Sequence, residues 1–305
     1  MTADDDAGAA YARRRLGRLL TELRENARDE SGDRVAVTVE AAAAHIERAR
    51  PTLYRMEHGL PGVKIKDRDL RDLCELYRAS REDLDTLLAL AKVTRVRGWF
   101  HPFSDVLPPG FDIYVGLEGA AARITAYEES RVHGLVQTKE YARELLLFPG
   151  LDGHERDPAE IDRRVEVRLK RQGILTRSDP APTRVELLLG ETALQRPVGG
   201  RAVMARQLNY INELGDLPNV TIRVIPLAAG LHQGVATGPF SMLRFADNTE
   251  PPTAYFDGFL GHSLLNKPEL VDRLDGVISG IRSCALDEQP SRELIHRVAK
   301  EHSSV

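Results

Sequence analysis

The chain has 305 residues with 42% apolar content, enough for a sizeable core and for two domains of ordinary size. Lys and Arg number 42 against 46 Asp and Glu, a net charge of -4, which excludes a polycation that coats nucleic acid or an anionic membrane over its whole surface. Its first residues, MTADDDAGAAYARRR, lack the apolar core of an export signal, and no run approaches the roughly 20 apolar residues of a membrane span, so a cytoplasmic location is expected.

Residues 1–12, small and acidic, are expected to form a disordered tail. From Arg13 the leucines 16, 19, 20 and 23 recur at i, i+3, i+4 and i+7, the spacing of an amphipathic helix. ARDESGDRVAV then interrupts as an exposed loop. Thr38 is placed to cap a second helix, VEAAAAHI, with Glu40 in its first turn. A short break near residues 47–49 leads to RPTLYRMEH, where Pro51 suits a first turn and Gly59 a C-terminal stop. DLRDLCELY and SREDLDTLLALAK follow, the latter with Ser80 and Asp83 at capping-box spacing. Residues 13–92 thus predict an all-α domain of five short helices.

Residues 93–109, basic and aromatic and ending at two adjacent prolines, read as a linker. Beyond it GLEGAAARITAYEESR has helical character. TKEYARELLLF carries Thr138 as a cap, and DPAEIDRRVEVRLKRQGIL begins with Asp157 as cap and Pro158 at its first position. TRVELLLG, NVTIRVIP, PFSMLRF and PTAYFDG are short, branched or aromatic, and bounded by Pro, Gly or Asn, which predicts strands. Helices are expected over AVMARQLNYINELG, KPELVDRLDGVISGIRSCAL and SRELIHRVAKEH. Residues 110–305 therefore predict one α+β domain. Cys74 and Cys284, each in an apolar-periodic stretch, read as two buried thiols of a reducing compartment.

The stretch HIERARPTLYRMEHG concentrates three arginines, two histidines and a tyrosine in an acidic chain. On its helix Leu53 and Met56 share one face, which leaves Arg50, Thr52, Tyr54 and Arg55 wholly or partly outside it. That division suits a helix-turn-helix, whose second helix enters the major groove with its inward residues packed on the first. An arginine forks onto guanine, and Thr or Tyr bonds a base edge or phosphate. Arg50, Thr52, Tyr54 and Arg55 are the candidate DNA-reading residues, with Thr38, Arg48, His58 and Lys64 as candidates for backbone phosphate.

LLTELR, EAAAAHI and TLYRMEHG together resemble the Cro/C1/Xre class of helix-turn-helix domain. The resemblance implies that Arg24 pairs with Glu57 to support the fold, and that bases are read from the start and middle of the third helix. Two departures stand out: the turn has Glu47 where the class usually has glycine, and the loop around DESGDRVA is longer. A left-handed backbone at Glu47 would cost about 1 kcal/mol or more, unless the turn differs.

RGWFHPFSDVLPPGFDIYVGLEGAAARITAYEESRVHGLVQTKEYARELL, together with RPVGGRAVMARQLNYINELGDLPNVTIRVIPLAAGLH and GPFSMLRF, resembles the C-terminal domain of the WhiJ-like regulators of actinobacteria. This implies a transcription factor that acts on double-stranded DNA and whose C-terminal domain binds a small-molecule effector or a small partner protein encoded nearby. A homodimer is expected, because two half-sites demand two recognition helices.

Other residues carry less. His232 could line a pocket with Asp257 or His262, or be a loop histidine without chemistry. The glycines of RPVGGRAVM lack the lysine and spacing of a phosphate loop and read as a tight helix start. Ser241 and Ser263 have no nucleophile-elbow sequence around them. Trp99, Phe100, His101 and Phe103 form the densest aromatic cluster, either packing the two domains together or walling an effector pocket, for which Trp99, Phe100 and His232 are the candidates. No catalytic or metal-binding residue is assigned and no cofactor is expected. A regulator is therefore expected rather than an enzyme. An antitoxin-like module that sequesters a small protein, and an enzyme in residues 110–305 under control of the N-terminal domain, remain the alternatives.

Overall fold

In the computed structural model the first helix, α1 (Asp4–Glu25), starts well before Arg13. The described residues are 4–29, 31–60, 62–94, 99–103, 105–108, 111–148, 157–246, 250–258 and 261–304. Within residues 4–12, expected as a disordered tail, the alanine-rich sequence extends the helix, alanine having the highest helix propensity. Ala12, 2% exposed, joins Leu16 and Leu20 one and two turns on in the same buried stripe. The chain divides into two compact units, Met1–His101 and Pro102–Val305. Among the described residues no helix is long and apolar enough to cross a membrane.

The N-terminal unit has five helices among its described residues: α1, α2 (Val39–His45), α3 (Arg50–Glu57), α4 (Asp67–Tyr77) and α5 (Arg81–Thr94). Thr38 caps α2, accepting the Ala41 N–H at 3.1 Å. Ser80 and Asp83 satisfy one another's backbone amides ahead of α5, the capping box read from their spacing. Leu53, Met56, Leu70, Leu73 and Leu87 meet the α1 stripe in one core.

Three helices of this unit end in the same hydrogen-bond pattern. After α2 the Arg48 N–H reaches the Ala43 carbonyl and the Glu47 N–H the Ala44 carbonyl, which requires the intervening residue to be left-handed. Gly59 takes that role after α3 at φ +61°, but Arg78 after α4 and Glu47 after α2 adopt it as non-glycine residues, at φ +53° and +55°. The turn thus keeps the left-handed geometry at Glu47, whose side chain, 81% exposed, has only a 3.9 Å surface contact with Arg68 to offset the strain. Glu47→Gly is expected to stabilise the N-terminal unit by about 1 kcal/mol in urea unfolding followed by Trp99 fluorescence. A loss of stability would show that the strain is compensated elsewhere.

The C-terminal unit is α+β, built on one mixed six-stranded sheet of order β3-β2-β1-β4-β5-β6. The strands are β1 (Arg123–Glu128), β2 (Arg184–Gly190), β3 (Val220–Ile225), β4 (Phe240–Arg244), β5 (Thr253–Gly258) and β6 (Gly261–Leu265). β1, β2 and β3 run parallel, and β4, β5 and β6 continue antiparallel from β1. The segment at residues 116–131, expected to be helical, is divided between α6 (Phe111–Ala120) and β1. Pairing on both edges and burial from Ile124 to Glu128 override the local helical preference of its alanines. β6, an edge strand of alternating exposure, had no clear sequence signal.

Around the sheet lie α7 (Lys139–Leu147), α8 (Pro158–Arg171), α9 (Glu191–Gln195), α10 (Arg201–Leu214), α11 (Gln233–Thr237), α12 (Pro268–Cys284) and α13 (Glu288–Ser303). Gly199 and Gly200, at φ +68° and +87°, make the tight start of α10. On one face of the sheet Tyr127, Leu188, Met242 and Ala254 pack against Val271, Leu274, Ile278 and Ile281 of α12. Side chains alternate along a strand, so Ser241 and its register partners Ala126 and Tyr255 look out from the opposite face. That face carries the cavity described below.

Candidate nucleic-acid interface and C-terminal cavity

α3 is divided as its sequence suggests. Leu53, Met56 and Glu57 are buried, Arg50, Tyr54 and Arg55 are exposed, and Thr52 is half-buried. Tyr54 stacks on His58 with ring centroids 3.9 Å apart, and His58 Nδ1 lies 2.8 Å from the Tyr54 carbonyl, so the two rings form one exposed aromatic plate. Arg50 is ion-paired with Glu40 of α2, but both side chains are more than half exposed, so the pair is weak and open to exchange for another anion.

Two contacts set α3 on its support. Arg24 Nε donates to Glu57 Oε1 at 2.7 Å and Nη2 donates to Oε2 at 3.2 Å, while Nη1 reaches the Val37 carbonyl ahead of α2 at 3.2 Å. One guanidinium therefore ties α1 to α3 and to the segment leading into α2, and Glu57 leaves the surface charge with its side chain 1% exposed. Gly17 gives the second contact: a Cβ there would lie 2.5 Å from the carbonyl oxygens of Met56 and Glu57, so α1 and α3 touch backbone to backbone.

Of the residues expected at phosphate, Thr38, His58 and Lys64 are exposed. Arg48 is committed elsewhere. Its Nε and Nη2 donate to Asp69 Oδ2 at 3.2 and 2.8 Å, and Asp69 is 4% exposed, which makes Arg48 a brace between the turn and α4.

The cavity in the C-terminal unit, about 520 Å³, is walled by strand residues Ser241, Tyr255 and Asp257, by Tyr114 of α6, and by Arg168 and Arg171 of α8. Arg171 is buried against Glu118, with Nε–Oε2 at 2.6 Å and Nη2–Oε1 at 2.7 Å. Burial opposes its charge, but the Glu118 carboxylate outweighs burial and holds the guanidinium firmly protonated. The Tyr114 hydroxyl donates to the same carboxylate at 2.8 Å, and its ring stacks on Tyr255 at 3.8 Å.

His133 continues this polar wall. Withdrawal from water pulls its pKa down to about 4, so the imidazole is neutral at neutral pH. Nδ1 accepts the Leu135 N–H at 3.3 Å, which places the ring proton on Nε2, donating to Ser241 Oγ at 3.2 Å. Arg131 donates to Glu128 at 3.2 Å and to Asp257 at 3.4 Å.

A family model described as Helix-turn-helix domain matches residues 15–87. A second, described as Domain of unknown function (DUF5753), matches residues 111–297, more than half of the chain. The chain belongs to the DUF5753 family. No curated protein and no solved structure matches it. The DUF5753 match contains the whole sheet, α8 and every residue named above as walling the cavity.

Within the DUF5753 domain His232, read either as a pocket residue or as a loop histidine without chemistry, takes a capping position. It caps α11, its Nδ1 accepting the Gly234 N–H at 3.2 Å, and does not line the cavity, although Asp257 does. His262 lines a smaller neighbouring cavity of about 310 Å³, also bounded by Asp257. Trp99 and Phe100, edge to face at 5.9 Å, belong to the N-terminal unit, whereas Phe103 belongs to the C-terminal one under Lys170 and Arg163. Among the described residues no group of His, Cys, Asp or Glu is arranged to hold a metal ion. Cys74 is buried, its thiol pushed up to about 11 by burial; Cys284, expected to be buried too, is half-exposed at the end of α12. The Ser241–His133 contact and the Arg171–Glu118 pair had no sequence signal, since they join residues 108 and 53 positions apart.

Proposed function

We propose that this chain is a sequence-specific DNA-binding transcriptional regulator of the Cro/C1/Xre class, with a WhiJ-like C-terminal domain that senses a small ligand or a small partner protein. The observation that carries the reading is the division of α3. Leu53, Met56 and Glu57 are buried by α1 and the core, while Arg50, Tyr54 and Arg55 are exposed on the opposite face. A homodimer presents two such helices to half-sites about one helical turn apart, and effector binding changes their spacing and so operator affinity. Its place of action is the cytoplasm, with the chromosome.

Arg50→Ala and Arg55→Ala are each expected to cost about 1 to 3 kcal/mol on the selected operator and less on random duplex. The comparison uses gel-shift titrations at fixed salt, the operator being taken from duplexes selected by the protein. Equal losses on both duplexes would mean that these arginines touch only phosphate.

A non-enzymatic C-terminal domain is part of the proposal. The cavity does bring polar groups together, and Ser241 with His133 is the pair a hydrolase would use. Against that use, His133 is a weak base at about 4, and its Nδ1 accepts a backbone N–H where a catalytic imidazole would donate to an orienting carboxylate. Co-purification from the native host separates a protein-partner role of the antitoxin kind from small-molecule sensing.

A further inference from the structure

Among the described residues the charges around the cavity are matched with one exception. Arg171 has Glu118, and Arg131 has Glu128 and Asp257. Arg168, half-buried on α8, makes a single hydrogen bond, from Nη1 to the Gln137 amide oxygen at 2.8 Å, and no carboxylate among the described residues lies within 4.0 Å of it. The other N–H groups of its planar fork have no acceptor among the described residues. A half-buried cation without a counter-ion is costly, and a site that keeps one is suited to receive an anion.

Arg168 is also placed to be reached. It lines both the cavity of about 520 Å³ and the adjoining one of about 310 Å³, the larger lying in the range of small-molecule sites. The remaining wall is aromatic and aliphatic: Phe111 and the stacked Tyr114 and Tyr255, with Leu145 and Leu146 from α7. The Tyr114 hydroxyl and the His133 ring nitrogens are already engaged with Glu118, Leu135 and Ser241, so these two residues offer a ring surface more than open hydrogen-bonding capacity. The field at Arg168 agrees. Withdrawal from water is the largest influence lowering its pKa, to about 10, and the charges of Arg171 and Arg131 act in the same direction more strongly than Glu128 and Asp257 oppose it. Arg168 remains charged at neutral pH, in a positive surround.

We infer that this cavity binds a small organic acid, its single carboxylate forked onto Arg168 and its apolar, ring-sized body lying against Phe111, Tyr114 and Tyr255. A planar carboxylate matches the guanidinium fork with two parallel hydrogen bonds. One unmatched cation selects a monoanion. A doubly charged phosphate ester would place its second charge near Glu128 and Asp257, which line the same cavity.

This deepens the ligand-sensing reading and rests on it for biological meaning, but its test needs no DNA. The whole chain is titrated calorimetrically with benzoate, phenylacetate and 3-phenylpropionate, which vary the reach from carboxylate to ring, and with phenylacetamide and phenyl phosphate. At least one acid is expected to bind saturably, one per chain, with the matching amide and the phosphate ester at least tenfold weaker. Arg168→Gln is expected to weaken the acid at least tenfold while leaving the thermal midpoint unlowered, since it removes an unmatched charge; Arg168→Lys retains part of the affinity. Equal binding of acid and amide by the unaltered protein, undiminished binding by a folded Arg168→Gln, or no saturable binding of any acid up to about 10 mM overturns the inference. If an acid binds and operator affinity is unchanged at saturation, the sensing reading fails and the binding site stands.

Discussion

Glu118→Ala is expected to destabilise the C-terminal unit by about 3 to 5 kcal/mol, the cost of removing one partner of a buried ion pair. The pair is among the least exposed in the chain, with side chains 6% and 1% accessible at Arg171 and Glu118. Removing the carboxylate leaves the guanidinium uncompensated between Phe111 and Tyr114, and leaves the Tyr114 hydroxyl without its acceptor. Near-UV circular dichroism during urea unfolding reads this unit through Tyr114, Tyr127, Tyr141, Tyr210 and Tyr255. Fluorescence of Trp99, the single tryptophan, reads the other. Glu118→Ala combined with Arg171→Met should recover most of the loss, because two apolar groups bury without an orphaned charge. A cost below about 1 kcal/mol for the single change would mean that water reaches the pair.

Leu53→Ala is expected to cost the N-terminal unit about 2 to 5 kcal/mol, through lost burial and a cavity beneath α3. Leu53 is fully buried, with Leu16, Leu20, Met56 and Leu73 in the same core. Because this change loosens the whole α3 platform, it should weaken operator and random duplex alike, in contrast to Arg55→Ala two residues away. Trp99 fluorescence gives the stability and gel-shift titration the binding. An Leu53→Ala protein of unaltered stability that lost only operator affinity would place Leu53 at the DNA instead of in the core.

The readable parts of the sequence were those whose signal is local. The i, i+3, i+4 leucines of α1, the Thr38, Ser80 and Asp157 caps and the branched runs of β2, β3, β4 and β5 each state their own structure within a few residues. The exposed face of α3 was equally legible, because Leu53 and Met56 fix by spacing which residues remain outside. Failures came where the deciding contact was distant. β1 reads as helix in isolation and is made a strand by β2 and β4. Arg48 looks free beside Arg50 and is claimed by Asp69, 21 residues on.

The turn after α2 shows both sides at one residue. The resemblance to the Cro/C1/Xre class marked Glu47 as standing where glycine is usual, a preference that avoids the Cβ clash of a left-handed residue. Only the structure decided that the left-handed geometry is kept, because the Arg48 and Glu47 amides must find the last carbonyls of α2. The same division runs through the chain. Its sequence by itself determined two domains, the fold class of each and the face of α3 that is left exposed, all consequences of side-chain period and backbone propensity. Only the tertiary structure decided that one arginine of α8 is matched by Glu118 and that its neighbour three residues earlier has no carboxylate partner among the described residues. Sequence spacing makes Arg168 and Arg171 alike, and what separates them is which carboxylate the fold carries to within hydrogen-bond reach.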